Sequence, residues 1–128
     1  MFSVGVDIIE IERIAAAWQR FGQRFLRRIY TAREIAYCRG RVSELAARFA
    51  AKEAISKALG TGLNGISWVE MEVLADSRGK PYVVLHGRAA ARAQDLGLSQ
   101  WAISLSHHDS AAVAFVVATS WGQSSAPG

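Results

Sequence analysis

Ser43-Glu44-Leu45-Ala46-Ala47-Arg48-Phe49-Ala50-Ala51-Lys52-Glu53-Ala54-Ile55-Ser56-Lys57-Ala58-Leu59-Gly60-Thr61-Gly62 is the stretch on which the fold turns. It is alanine-rich and has neither proline nor glycine before Gly60, so it predicts one long helix that stops at Gly60-Thr61-Gly62. Ser43 stands where it can cap that helix, and Glu44 falls in the first turn, where the helix dipole favours a negative charge. Leu45, Phe49, Ile55 and Leu59 supply much of its apolar surface.

Upstream, residues 2–9 alternate and then run apolar as a strand does. From Ile11 the period lengthens: Ile11, Ile14, Ala15, Trp18 and Phe21 share one helix face, broken at Gly22. A second helical stretch covers 23–29. Thr31 with Glu34 three residues on has capping-box spacing and opens a short helix through Cys38, closed near Gly40. Downstream, Trp68 to Leu74 alternates strongly and predicts a strand, paired through the turn Asp76-Ser77-Arg78-Gly79 with the strand Pro81 to Leu85. Residues 87–97 read as a helix. Trp101 to His107 and Ala111 to Thr119 read as strands around a tight turn. The order of elements predicts an α+β fold, an antiparallel sheet of hairpins packed with a long central helix.

With 128 residues the chain predicts one domain over 1–121, followed by a small, polar, disordered tail at 122–128. The single cysteine, Cys38, excludes an internal disulfide and points to a reducing compartment. No signal peptide or spanning segment fits, so the expected location is cytoplasmic and no membrane partner is expected. The formal charge is +4. Arg13, Arg20, Arg24, Arg27, Arg28, Arg33, Arg39, Arg41 and Arg48 crowd the first half. That crowding is either a solvated surface or a docking face for an acidic partner.

Two carboxylates stand out. Asp7 lies in a strand with Val6 and Ile8 on the opposite face, so it either caps the following helix or faces a ligand. Glu53 lies four residues before Lys57, the spacing of an ordinary stabilising pair. Its neighbourhood suggests more. Arg48 and Lys52 share a face, where like charges oppose each other unless an anion lies between them. Gly60, Thr61 and Gly62 let the backbone approach a bulky group closely. Magnesium favours one or two carboxylates completed by water and substrate phosphates, an arrangement Asp7 and Glu53 would supply. There is no Walker loop.

The ordered set Gly5-Val6-Asp7-Ile8 with Ile11 and Arg13, then Arg48-Phe49-Ala50-Ala51-Lys52-Glu53-Ala54 with Lys57, resembles the signature of phosphopantetheinyl transferases. The short length resembles the holo-acyl-carrier-protein synthase type. Phe25, Arg28, Thr31, Gly60-Thr61-Gly62, Gly79-Lys80-Pro81 and Ser104-Leu105-Ser106-His107 extend the likeness from about residue 4 to about 118. The resemblance implies transfer of the 4'-phosphopantetheine arm of coenzyme A to a serine of apo acyl carrier protein, with adenosine 3',5'-bisphosphate as the other product. It implies a homotrimer with active sites between subunits. Asp7 and Glu53 would bind Mg²⁺; Arg48, Lys52 and Lys57 would bind phosphates; Gly60, Thr61 and Gly62 would line the nucleotide pocket.

The proton of the carrier serine would go to His107 or to Glu53, directly or through water. Asp109 could orient a histidine, bind a metal-held water or shape its turn, and turn-shaping is the default. His86 reads as structural. Acyl carrier proteins are acidic, so Arg13, Arg20, Arg24 and Arg28, with Phe25 as an apolar anchor, would seat one. Two rivals share parts of this pattern. A basic nucleic-acid-binding domain explains the arginines but not the acids, and a metal-dependent nucleotide phosphohydrolase explains the acids but predicts turnover without a carrier.

Overall fold

In the computed structural model, which describes residues 1–120, strand β1 (Phe2–Glu10) leads directly into helix α1 (Ile11–Phe21). Helices α2 (Gln23–Ile29), α3 (Ala32–Cys38) and α4 (Val42–Leu59) follow, then the hairpin β2 (Met71–Ala75) and β3 (Pro81–Leu85). Helix α5 (Gly87–Leu96) and the hairpin β4 (Gln100–His107) and β5 (Ala111–Thr119) complete the described chain. The α+β class is as expected. The tail at 122–128 lies outside the described residues.

Strands β1, β5 and β4 form one antiparallel sheet in that order, and β2 with β3 forms a second. Helix α4 is buried on nearly every side, because small alanines let β1, β5 and neighbouring helices approach it closely. At Gly5 this approach is absolute: a Cβ there would run into the carbonyl oxygen of Ala54. Gly5 therefore brings the two motifs together, with Asp7 two residues further along the same face of β1. Residues paired across the sheet share its faces, and Gly5↔Val116 and Asp7↔Ala114 put Asp7 on the side that meets α4.

Two local expectations are corrected. The N-cap of α4 is Arg41, and Ser43 lies inside the first turn. The chain leaves α3 through left-handed Arg39 and Gly40, so the backbone reverses and re-enters a helix two residues earlier than the serine suggests. Trp68 to Glu70 is a 3₁₀ turn, with the strand beginning only at Met71. The Ser67 amide donates to Glu70 Oε1 in a capping box, and the Lys52 ammonium donates to the Trp68 and Met71 carbonyls. Those contacts hold this segment as a turn rather than an alternating strand. Met71 to Leu74 is buried on both faces, Glu72 included.

Candidate active site

Asp7 does not cap α1. Its N-cap is Glu10, and the Ile11 amide donates to the Ser110 carbonyl. Instead Asp7 faces α4, where Lys57 Nζ donates to Asp7 Oδ1 at 3.0 Å and to the Val6 carbonyl at 2.9 Å. Lys57 thus bridges from helix to strand; the expected pairing with Glu53 on its own helix is not the ion pair that forms.

Glu53 lies beside this contact. Among the described residues no hydrogen bond reaches its carboxylate. Partial burial pushes its pKa up, the nearby Asp7 charge pushes further, and Lys57 pulls back. Two acids in one half-buried place with only one exposed ammonium between them form a site that favours additional positive charge. Among the described residues no three His, Cys, Asp or Glu side chains cluster around a common point, so no all-protein metal cage exists. A pair of carboxylates open to solvent is instead the donor set of a hard divalent ion completed by water and substrate.

The structure separates Arg48 and Lys52 from this pair. Both are buried and satisfied internally. Arg48 donates to Glu44 Oε1 at 2.7 Å and to the Val73 carbonyl, and its guanidinium lies over the Tyr37 ring. Lys52 Nζ donates to Glu34 Oε1 at 2.8 Å and to the two carbonyls of the 67–71 segment. Burial pushes the Lys52 pKa down, and Glu34 counters it. The anion between these like charges is thus supplied by the protein, as Glu44 and Glu34, and neither cation is free to hold a phosphate. The sequence offered a signal in Glu44, four residues before Arg48; Glu34 is distant in sequence and gave none.

Gly60 and Gly62 both adopt left-handed backbone at the end of α4, and the Thr61 and Gly62 amides reach back to the Ser56 carbonyl. This is the negative end of the helix dipole, so the loop itself does not attract phosphate. Cationic help must come from side chains. Lys57 is one; Arg92 of α5 is another, unmarked in the sequence reading, with its Nε on the Leu59 carbonyl and its guanidinium beside Gly60.

His107 shares the α4-facing side of the sheet with Asp7, through the pairings His107↔Ala112 and Asp7↔Ala114. It lies two strands away, about 10 Å by strand spacing alone. Asp7, Glu53 and Lys57 come together within one chain, and His107 does not join them. His108 and Asp109 occupy the turn after β4, closed by the His108 amide on the Ala111 carbonyl. His86 is structural, with Nε2 2.9 Å from Glu72 Oε1.

Arg24, Phe25 and Arg28 line an open groove of about 490 Å³ with Ala17, Phe21, Ile29 and Trp68. Its floor is apolar and its rim basic. Arg20 lies over the exposed Phe21 ring at 5.1 Å, beside the groove, and neither Arg20 nor Arg13 lines it. Phe21 and Trp68 were missed as groove residues: Phe21 reads as a core position of α1 and Trp68 as a strand residue.

The 4'-phosphopantetheinyl transferase superfamily model matches residues 3–116. The chain is 52% identical over 124 residues to the holo-[acyl-carrier-protein] synthase of Herpetosiphon aurantiacus, covering 91% of this chain and 98% of that protein. It is 49% identical to the one from Koribacter versatilis, covering 91% and 97%. The crystal structure of the Helicobacter pylori holo-[acyl-carrier-protein] synthase in complex with coenzyme A superposes with a TM-score of 0.84 at 31% identity, covering 91% of this chain and 99% of that one.

Proposed function

The chain belongs to the 4'-phosphopantetheinyl transferase superfamily, and from that premise we infer its reaction: transfer of the 4'-phosphopantetheine arm of coenzyme A to a serine of apo acyl carrier protein. Adenosine 3',5'-bisphosphate leaves. The observation that carries this reading is the end-to-end likeness to holo-[acyl-carrier-protein] synthases at about half identity. The nucleic-acid and hydrolase readings lose their support.

Asp7 and Glu53 fit a Mg²⁺ ion, because they converge, lie open to solvent and already attract an ammonium. When bound, the ion would polarise the pyrophosphate oxygens of coenzyme A and stabilise charge on the leaving oxygen. Lys57 holds a phosphate oxygen. Gly60, Thr61 and Gly62 give the nucleotide close backbone approach, and Arg92 holds that loop to α5. Arg48 and Lys52 brace α4 rather than the substrate. Glu53 takes the serine proton, directly or through a water.

We assign a homotrimer. One face of the three-stranded sheet leaves Phe2 75%, Ile8 68%, Val4, Val6 and Phe115 exposed, and the pairing Val6↔Phe115 makes the patch continuous across strands. An apolar area of this kind on a sheet face supports self-association. His107, too far from the acids of its own chain, would then serve a site formed with a neighbouring copy.

The carrier seats its acidic helix in the Arg24–Phe25–Arg28 groove, with Arg13 and Arg20 steering from outside it. Cytoplasmic placement rests on the single cysteine, Cys38. The test is release of adenosine 3',5'-bisphosphate from coenzyme A with and without apo carrier. Release only with carrier supports the transferase; equal release without it identifies a hydrolase.

A further inference from the structure

Resting on the metal reading above, we infer that Lys57 occupies the cation position of the Asp7–Glu53 pair in the metal-free protein and leaves it when the metal enters, coupling metal binding to coenzyme A binding. The Lys57 ammonium is held by two oxygens of β1, Asp7 Oδ1 and the Val6 carbonyl, with Glu53 one helical turn away on its own helix. These are hard oxygens, the kind a divalent ion also selects. The lysine partly offsets the mutual repulsion of the acids, since its charge is what pulls the Glu53 pKa back down.

The ammonium and a divalent ion cannot share this place. Mg²⁺ ligands lie at about 2.0–2.1 Å, and a unit charge held on the same Asp7 oxygen would stand within a few ångströms of the ion and be repelled. Lys57 is free to go: its side chain is 52% exposed, and an exposed ion pair is weak. Its stem is rooted in the last turn of α4, just before the Gly60–Gly62 loop assigned to the nucleotide. Leaving Asp7, the ammonium swings over the ground where the pyrophosphate lies. Each ligand then removes a cost to the other: the metal frees the lysine, and the phosphate receives it. Metal alone must displace the lysine into water with nothing to compensate. Coupling of this kind is reciprocal by linkage.

The experiment measures Mn²⁺ affinity by electron paramagnetic resonance, with Mn²⁺ alone and with saturating coenzyme A, for the wild type, Lys57→Met and Asp7→Asn. The wild type is expected to bind Mn²⁺ alone weakly and at least about tenfold more tightly with coenzyme A. Lys57→Met should bind Mn²⁺ alone about tenfold more tightly than the wild type and show a smaller enhancement by coenzyme A, the remainder coming from contact between the metal and the pyrophosphate. General removal of a positive charge would tighten Mn²⁺ equally in both conditions, so an undiminished enhancement in Lys57→Met overturns the displacement. So does unchanged or weaker binding of Mn²⁺ alone. If the wild type binds no Mn²⁺ with or without coenzyme A, or Asp7→Asn binds as the wild type does, the metal reading itself falls, and this inference with it. In ¹⁵N-lysine spectra, the Lys57 Nζ signal should shift on addition of Mg²⁺ alone; a static signal contradicts displacement independently of affinity.

Discussion

Helix α4 carries two lysines five positions apart, each bound to a carboxylate from another element, and they do opposite work. Lys52 and Glu34 are both 0% exposed, and the three ammonium protons and both carboxylate oxygens all have partners: Thr31 and Val73 amides and Lys52 on Glu34, and two carbonyls besides Glu34 on Lys52. Lys57 and Asp7 are open to water, and the neighbouring Glu53 carboxylate has no hydrogen bond among the described residues. A closed pair fixes α3, α4 and β2 to one another. An open pair with a spare acid is a place for a ligand. Completeness of partners, rather than charge or spacing, separates the brace from the site.

The sharpest way to break this contrast is to remove one charged partner at each place. Asp7→Asn is expected to lower carrier modification by roughly 10²–10³-fold or more while leaving thermal stability nearly unchanged, measured by steady-state kinetics and melting. Lys52→Ala should do the reverse, destabilising by about 3–5 kcal/mol in denaturant titration because Glu34 is left buried and unpaired. If Lys52→Ala fails to fold, Lys52→Met combined with Glu34→Leu should restore part of the stability, since no charge is left buried although the Thr31 and Val73 amides lose their acceptor. Activity lost in that folded double variant would return Lys52 to the site.

Glu72 tests the closed side by pH. Burial alone would raise its pKa, but hydrogen bonds from Arg33, Thr31 and His86 outweigh that and hold it down at about 2 against a usual 4.5. A depressed carboxylate stabilises the fold above its unfolded pKa and loses that contribution as pH falls through the folded one. Glu72→Gln should therefore cost about 1–3 kcal/mol at pH 7, with the gap to wild type closing between pH 4.5 and 2 in urea titrations. Glu53 has the opposite sign. Its raised pKa means the ionised form is disfavoured in the folded protein, so metal-free Glu53→Gln should melt slightly higher, by about 1–2 °C, while losing transfer. A lower melting point would make Glu53 a structural residue. Smallest of all, Arg24→Ala and Arg28→Ala should each raise the carrier KM a few-fold, and added salt should raise it more than the coenzyme A KM; equal salt sensitivity would remove the groove from docking.

Much of this was legible in the sequence. The long helix and the capping box of Thr31 and Glu34 follow from composition and local spacing, and alternation put Asp7 opposite Val6 and Ile8, but which element that face meets came only with the packing of Gly5 on α4. Arg48 and Lys52 misled because their partners lie elsewhere: Lys52 meets Glu34 only once α3 packs on α4, which no spacing within the helix encodes. Trp68 to Glu70 misled because alternation is shared by strands and by a turn held from Ser67 and Lys52. Arg92 was missed because only folding brings α5 to the end of α4.

The most direct test of the account is the intact mass of an apo acyl carrier protein incubated with this protein, coenzyme A and Mg²⁺, beside Asp7→Asn and the Lys52→Met/Glu34→Leu double variant. The account predicts a gain of one phosphopantetheine with the wild type and the folded double variant, abolished by chelator and by Asp7→Asn. No gain with the wild type, or an equal gain with folded Asp7→Asn, would contradict it.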